Sequence, residues 1–252
     1  MWGFDEVCRL AEEYENCDRC PKLIESRSQV VFGSGSARAD LMLFGEASGA
    51  VEDELGVPFI GDSGVLLMNM LQLAWPENEE MLEFREIPES EDDDSKYFEE
   101  LRDYFDQFVF WANIICCHPE KNRAPGRDEI KACRDRLERL VYAVDPMLVV
   151  ALGKVAISAV LGKQVGIIDS RGKIFEMKIT SPVTQRKIRY PVLAVLHPSY
   201  LLRKGDQRLM ERKGEGETYN TVEDLRYGIS LLNKHYQNLW GTSFPDKPED
   251  YK

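Results

Sequence analysis

The chain has 252 residues, 43% of them hydrophobic, which suffices to bury the core of one large domain, and its formal net charge is -12. No apolar run approaches the roughly 20 residues that cross a bilayer, and Met1 to Glu13 lacks the basic-then-apolar layout of a secretory signal, so we expect a cytoplasmic protein without a membrane span. An acidic total argues against nucleic acid only if the charge is spread evenly, and it is not: residues 76 to 106 carry 14 acidic and 3 basic side chains, whereas residues 171 to 213 carry 11 basic and 3 acidic ones.

In chain order, a helix over Phe4 to Tyr14 leads into Cys17 and Cys20, spaced Cys-x-x-Cys. Six cysteines in a cytosolic chain are not read as structural disulfides, so this pair points to metal or redox chemistry. Asp40 to Phe44 is the first of four apolar runs that read as buried parallel strands; the others are Phe108 to Ile115, Met147 to Leu152 and Val192 to Leu196. Behind the first strand, "GEASGAVEDELGVPFIG" gathers Glu46, Glu52, Asp53 and Glu54 in one loop that closes on Pro58 and Phe59.

A helix over Gly64 to Ala74 precedes an acidic insertion at about 76–106, expected to be disordered around Glu91 to Asp94, where apolar residues vanish. Beyond the second strand, Arg127 to Val144 is the clearest helix, with Ile130, Cys133, Leu137, Leu140, Val141 and Val144 on one face. Val155 to Leu161 follows the third strand. A helix over Thr221 to Tyr236 and the loose end "PDKPEDYK" make up a C-terminal region of about 220–252. Alternating strands and helices imply an α/β fold: a three-layer α/β/α sandwich around a mostly parallel four-stranded sheet, in a single domain spanning 1–252.

Parallel open sheets bind ligands at the carboxyl ends of their strands, so Glu46, Asn113, Gly153 and His197, each at or just past a strand end, should meet in one crevice. Each has a structural reading when taken alone: Glu46 capping a turn, Phe59 filling the core, Asn113 satisfying backbone groups, His197 bracing a proline. Together, an aromatic face, an amide, a histidine and carboxylates suit a planar heterocycle with hydrogen-bonding edges. The amide of Asn113 matches the O4 acceptor and N3–H donor of uracil. A base in DNA reaches such a pocket only when its nucleotide is rotated out of the helix, and the basic segment, with Arg203, Lys204 and Arg208, is expected to hold the phosphates.

At this point the motifs carry a resemblance. "GEASGAVEDELGVPFIGDSGVLL" resembles the first motif of the family 4, iron–sulfur-containing uracil-DNA glycosylases, and "HPSYLLR" is similar to their second. The likeness extends to "CDRCPKL", "VVFGSG", "NIICCHPEKNRAP" and "VVALG", covering about residues 15–75 and 108–205. It implies a uracil-DNA glycosylase-like fold and hydrolysis of the N-glycosidic bond of uracil in DNA, with release of free uracil and an abasic site left behind. It further implies a [4Fe–4S] cluster on Cys17, Cys20, Cys117 and Cys133. The spacing alone does not separate a cluster from tetrahedral zinc, since both accept four thiolates.

The resemblance also implies roles. His197 donates a hydrogen bond to O2 of the departing uracil, while Glu46, Glu52 and Asp53 are the candidates for stabilising the cation-like sugar and positioning water. The backbone N–H of Ala47, the Phe59 ring and the Asn113 amide hold the base. Three positions depart from the family pattern: Ser48 replaces a usual proline, Asp62 an often basic residue, and Cys116 a basic one. Cys8 and Cys116 are left over, and His118 adjoins a ligand cysteine. Two alternatives stand beside this reading, a glycosylase for another modified pyrimidine and a non-catalytic iron–sulfur DNA-binding relative. The expected partner is uracil-containing DNA, single- or double-stranded, bound by a monomer that associates with the nucleoid, with the acidic insertion a candidate dock for a protein partner.

Overall fold

The computed structural model of the chain describes residues 2–75, 91–205 and 215–240. In order these form α1 (Trp2–Glu15), α2 (Pro21–Ile24), β1 (Ser34–Gly35), β2 (Leu41–Gly45), α3 (Ala50–Leu55), α4 (Asp62–Ala74), α5 (Glu91–Phe105) and β3 (Val109–Asn113). After a 3-10 turn (Glu120–Asn122) come α6 (Arg127–Val144), β4 (Leu148–Leu152), α7 (Gly153–Leu161), α8 (Ile167–Ser170), β5 (Ile174–Thr180), β6 (Lys187–Val195), α9 (Pro198–Lys204) and α10 (Glu217–Trp240).

The sheet order is β1-β3-β2-β4-β6-β5, with the β3-β2-β4-β6 core parallel and both edge strands antiparallel. The four expected strands are the parallel core, and the count rises to six through its two edges. β1 pairs only Ser34 and Gly35 with Trp111 and Phe110, too short a stretch to leave an apolar pattern. β5 alternates buried Met177 and Ile179 with exposed Glu176, Lys178 and Thr180, the signature of a strand covered on one face, which a search for continuous apolar runs passes over.

Strand alternation sorts the core into two halves. Leu41, Leu43, Val109, Trp111, Leu148, Val150, Leu193 and Val195 face α4 and α10, whose Leu67, Leu71, Val222, Leu225 and Ile229 cover them. Met42, Phe44, Phe110, Ala112, Val149, Ala151, Val192 and Ala194 face α6 and α7, meeting Leu137, Leu140, Val141, Ala156 and Val160. This is the expected α/β/α sandwich, held by apolar burial on both sheet faces.

The disorder expected around Glu91 to Asp94 is corrected: that stretch opens α5. The buried apolar anchors of this helix, Leu101 and Phe105, lie toward its far end. Residues 76–90 of the acidic insertion, Arg208 and the tail "PDKPEDYK" lie outside the described residues. Among the described residues no helix is long and apolar enough to cross a membrane.

Candidate active site

The carboxyl ends of β2, β3 and β6 open on a cavity of about 910 Å³ whose walls include Glu46, Ala47, Glu52, Phe59, Asn113, His197 and Arg203. Six of the residues expected to act on the base or its sugar therefore meet in one place. Asp53 and Lys204 are not among the lining residues. The carboxylate of buried Asp53, on α3, accepts from the backbone N–H of Ser28 at 2.6 Å and so braces the chain ahead of β1.

The floor depends on two glycines. A Cβ on Gly45, the last residue of β2, would lie 2.3 Å from Asn113 Oδ1 and 2.7 Å from Phe59 Cζ, so only glycine lets amide and ring stand side by side. A Cβ on Gly64 would lie 1.8 Å from the Phe59 carbonyl oxygen, so glycine lets α4 start directly beneath this residue. Phe59 itself has φ of 59°, a left-handed conformation uncommon for an aromatic residue.

That conformation has a clamp. Arg102, buried in the last turn of α5, donates to the Pro58 carbonyl at 2.9 Å, to Ser34 Oγ at 2.6 Å and to Asp106 Oδ1 at 2.7 Å. Its guanidinium lies 4.5 Å from the centre of the Trp111 ring, and Trp111, whose Nε1–H also donates to Asp106, backs Phe59 at a centroid distance of 6.0 Å. Asn113 is buried, and its backbone carbonyl accepts from the fully buried Arg136 of α6. Among the described residues nothing hydrogen-bonds its side-chain amide.

His197 caps α9: Nδ1 accepts from the backbone N–H of Ser199 at 3.1 Å, which puts the ring proton on Nε2. Burial, reinforced by the charge of Arg203, pushes the imidazole down to about 4, so it is neutral near pH 7. Burial raises the Glu46 carboxyl above its ordinary value, and Arg203 opposes that rise. Glu52 is fixed more tightly, with Oε1 accepting from the Gly61 N–H at 3.1 Å. Ser48, at the departure from the family pattern, is buried with its hydroxyl unpaired, and its carbonyl accepts from His118 Nδ1 at 2.9 Å. His118 thus ties the catalytic loop to the cysteine-bearing segment.

Of the four cysteines, Cys17 and Cys20 are half-buried and Cys117 and Cys133 buried, all as free thiols. Burial pushes the Cys20 thiol up to about 11, and the charges of Cys133, Cys117 and Cys17 add to the rise, so the four share one neighbourhood. Arg27 donates to Cys117 Sγ at 3.0 Å and to the Cys17 carbonyl at 2.5 Å, linking two of the segments. Among the described residues no three His, Cys, Asp or Glu side chains are drawn together at the spacing that grips one ion. As donors, four neighbouring thiols beside a guanidinium suit a thiolate-bound centre.

The expected basic segment divides. Arg203 reaches the cavity rim, but Arg186, Lys187 and Arg189 sit at or near the start of β6, about 20–30 Å from its carboxyl end at about 3.3 Å per residue, and Arg171 is paired with Asp224. They were grouped by sequence position alone, which a β-hairpin does not respect. Three contributors were given no role by sequence reasoning: Arg102, one of three cations in the acidic insertion, His118, noted only as adjoining a cysteine, and Arg123, which lines the cavity from the loop after β3. Only for His118 and Arg123 was there a signal, their place within "NIICCHPEKNRAP".

The profile of the Uracil DNA glycosylase superfamily matches residues 32–225. The chain is 30% identical over 205 residues to the Type-4 uracil-DNA glycosylase of Pyrobaculum aerophilum, covering 79% of this chain and 86% of that one. It is 29% identical to the Type-4 uracil-DNA glycosylase of Thermotoga maritima across 93% of this chain and 99% of that one. Against the Sulfurisphaera tokodaii enzyme of the same name the identity is 32%, over 69% and 68%.

Proposed function

Since the chain belongs to the uracil-DNA glycosylase superfamily, and is a repair glycosylase that hydrolyses the N-glycosidic bond of uracil in DNA, we propose how its own residues divide that work. The flipped base enters the cavity, stacks on Phe59 and is read by Asn113, whose N–H donates to O4 and whose oxygen accepts from N3–H. The Ala47 N–H makes a further contact to the base. As the glycosidic bond breaks, negative charge gathers on O2, and the Nε2–H of neutral His197 donates to it. A neutral donor of this kind needs no proton transfer to act, and the depressed basicity of the ring favours donation without transfer.

Opposite the leaving base the sugar becomes cation-like. Glu46, which faces the cavity with its charge only partly balanced by Arg203, positions the attacking water and stabilises that cation, while the anchored Glu52 adds a fixed negative charge. Arg203 and Lys204 meet phosphates beside the cavity, and Arg208, close in sequence, is assigned with them. Cys17 and Cys20 after α1, Cys117 in the loop after β3 and Cys133 in α6 would hold a [4Fe–4S] cluster, whose bonds to the thiolates would tie these segments together. The working unit assigned here is a monomer.

The observation that carries this reading is the tautomer of His197: with Nδ1 taken up by Ser199 the ring proton sits on Nε2, and the ring lines the same cavity as Phe59 and Asn113. Single-turnover release of bases from oligonucleotides carrying uracil or modified pyrimidines tests it. The wild type is expected to release uracil, and His197→Ala to do so about 10²- to 10³-fold more slowly, the cost of losing one donor to a developing oxyanion. An unchanged rate in the variant removes His197 from the mechanism, and preference for another pyrimidine removes uracil as the natural base.

A further inference from the structure

Two more grooves continue from the catalytic cavity. Arg123, on the cavity wall, also lines a groove of about 590 Å³ together with Lys22 and Arg127, and Arg127 in turn lines a third groove of about 750 Å³ between α6 and α7. That third groove is lined by Arg127, Lys131, Arg134, Lys154 and Lys163 and by no carboxylate. Of the two acids in the middle groove, Asp128 and Glu129, the second is already engaged, accepting from Arg123 at 2.6 Å. In a chain whose formal net charge is -12, such a run of cations is a concentrated exception.

The three lysines are exposed, and among the described residues no ion pair holds Lys131, Lys154 or Lys163. Lys154 stands at the start of α7 and Lys163 just beyond its end, about 13 Å apart at 1.5 Å per residue, so the two can meet different phosphates of one strand. Unpaired lysines spaced along an open groove match a polyanion whose charges repeat at short, regular intervals. Continuity with the cavity through Arg123 and Arg127 identifies the polyanion as the strand whose base is being excised.

We propose that the DNA strand leaving the catalytic cavity runs over Arg123 and Arg127 into the groove between α6 and α7, where Lys131, Lys154 and Lys163 hold its phosphates. The proposal rests on the glycosylase reading and adds to it a second arm of the DNA track, on the side of the cavity away from Arg203. It also accounts for how an acidic protein keeps hold of DNA when Lys178, Arg186, Lys187 and Arg189 lie toward the far end of the sheet.

The test compares binding of uracil-containing single strands of about 6 and about 30 nucleotides, across a salt series, by the wild type and by the triple variant Lys131→Gln, Lys154→Gln, Lys163→Gln. The wild type should bind the long strand more tightly than the short one, and the variant should lose most of that gain. On the long strand its plot of log affinity against log salt should be shallower by about two units, from three lost contacts at about 0.7 each. A charge-conserving variant with arginine at all three positions should keep the wild-type slope. Unchanged length dependence and slope in the glutamine variant overturn the track, as does an equal loss in the arginine variant, which would mark a packing effect. Uracil release by the wild type from the same strands is scored separately: its absence refutes the glycosylase reading, whereas a lost length dependence in the variant still establishes the groove as a strand-binding surface.

Discussion

Asn113 carries a donor and an acceptor on one amide, and uracil offers the complementary pair on one edge, whereas cytosine presents a donor and an acceptor in the reverse places. Asn113→Asp keeps the shape and removes the donor, so uracil release is expected to fall by two orders of magnitude or more, from about 1–3 kcal/mol of base contact plus a buried unpaired group. Slow cytosine release should appear in the same variant, and base chromatography of the products checks both. The pH profile separates the two titrating groups. Glu46 must be ionised to work and its carboxyl is raised, so the acid limb of kcat/KM should lie above its ordinary 4.5 and vanish in the weaker Glu46→Gln enzyme. His197 stays neutral down to about 4, so no limb should appear near 6.5. The sign for stability follows from the same ring: between 6.5 and about 4 the unfolded chain binds a proton that the folded one refuses, so stability falls as pH falls through that window, and His197→Ala should flatten the fall in a melting series.

Among the elements, the four core strands and α6 were legible because each is a buried or amphipathic run of several residues with a clear period. β1, β5 and α9 were not: two residues, a half-exposed edge, and about two turns capped by His197 leave little local signal. α5 was misjudged because its acidic start says solvent while its end, through Arg102, grips the turn that carries Phe59. That grip is testable. Arg102→Ala leaves the Pro58 carbonyl and Asp106 short of a partner and should destabilise the fold by about 1–3 kcal/mol. Because Phe59 is then held less firmly, KM for uracil-containing DNA should rise more than kcat falls, with a shift in Trp111 emission; Arg102→Lys, which keeps the charge but not the fork, should recover only part of the KM. A loss of melting temperature with KM unchanged would reduce Arg102 to a packing residue.

At the scale of the whole molecule, sequence reasoning located the crevice because a parallel sheet brings its strand ends together whatever lies between them, and Glu46, Phe59, Asn113 and His197 do line one cavity. It did not reveal where the segment's cations sit, because net charge per segment ignores that the β5–β6 hairpin carries Lys178, Arg186, Lys187 and Arg189 toward the end of the sheet opposite the cavity. It also could not see that Asp53 is taken up by Ser28. The four cysteines link segments distant in the chain, so protein prepared without oxygen is expected to contain about four irons per chain, and Cys133→Ser to lose both iron and thermal stability; stoichiometric zinc without iron would replace the cluster with a zinc site. The central claim is that this one cavity excises uracil, and the most direct measurement is free base released from matched oligonucleotides differing only in uracil or cytosine at one position, in single and double strands. The account predicts release of free uracil with an alkali-labile site at that position, none from cytosine, and both signals strongly slowed in Glu46→Gln; uracil left in place by iron-replete wild-type protein, or release undiminished in Glu46→Gln, would contradict it.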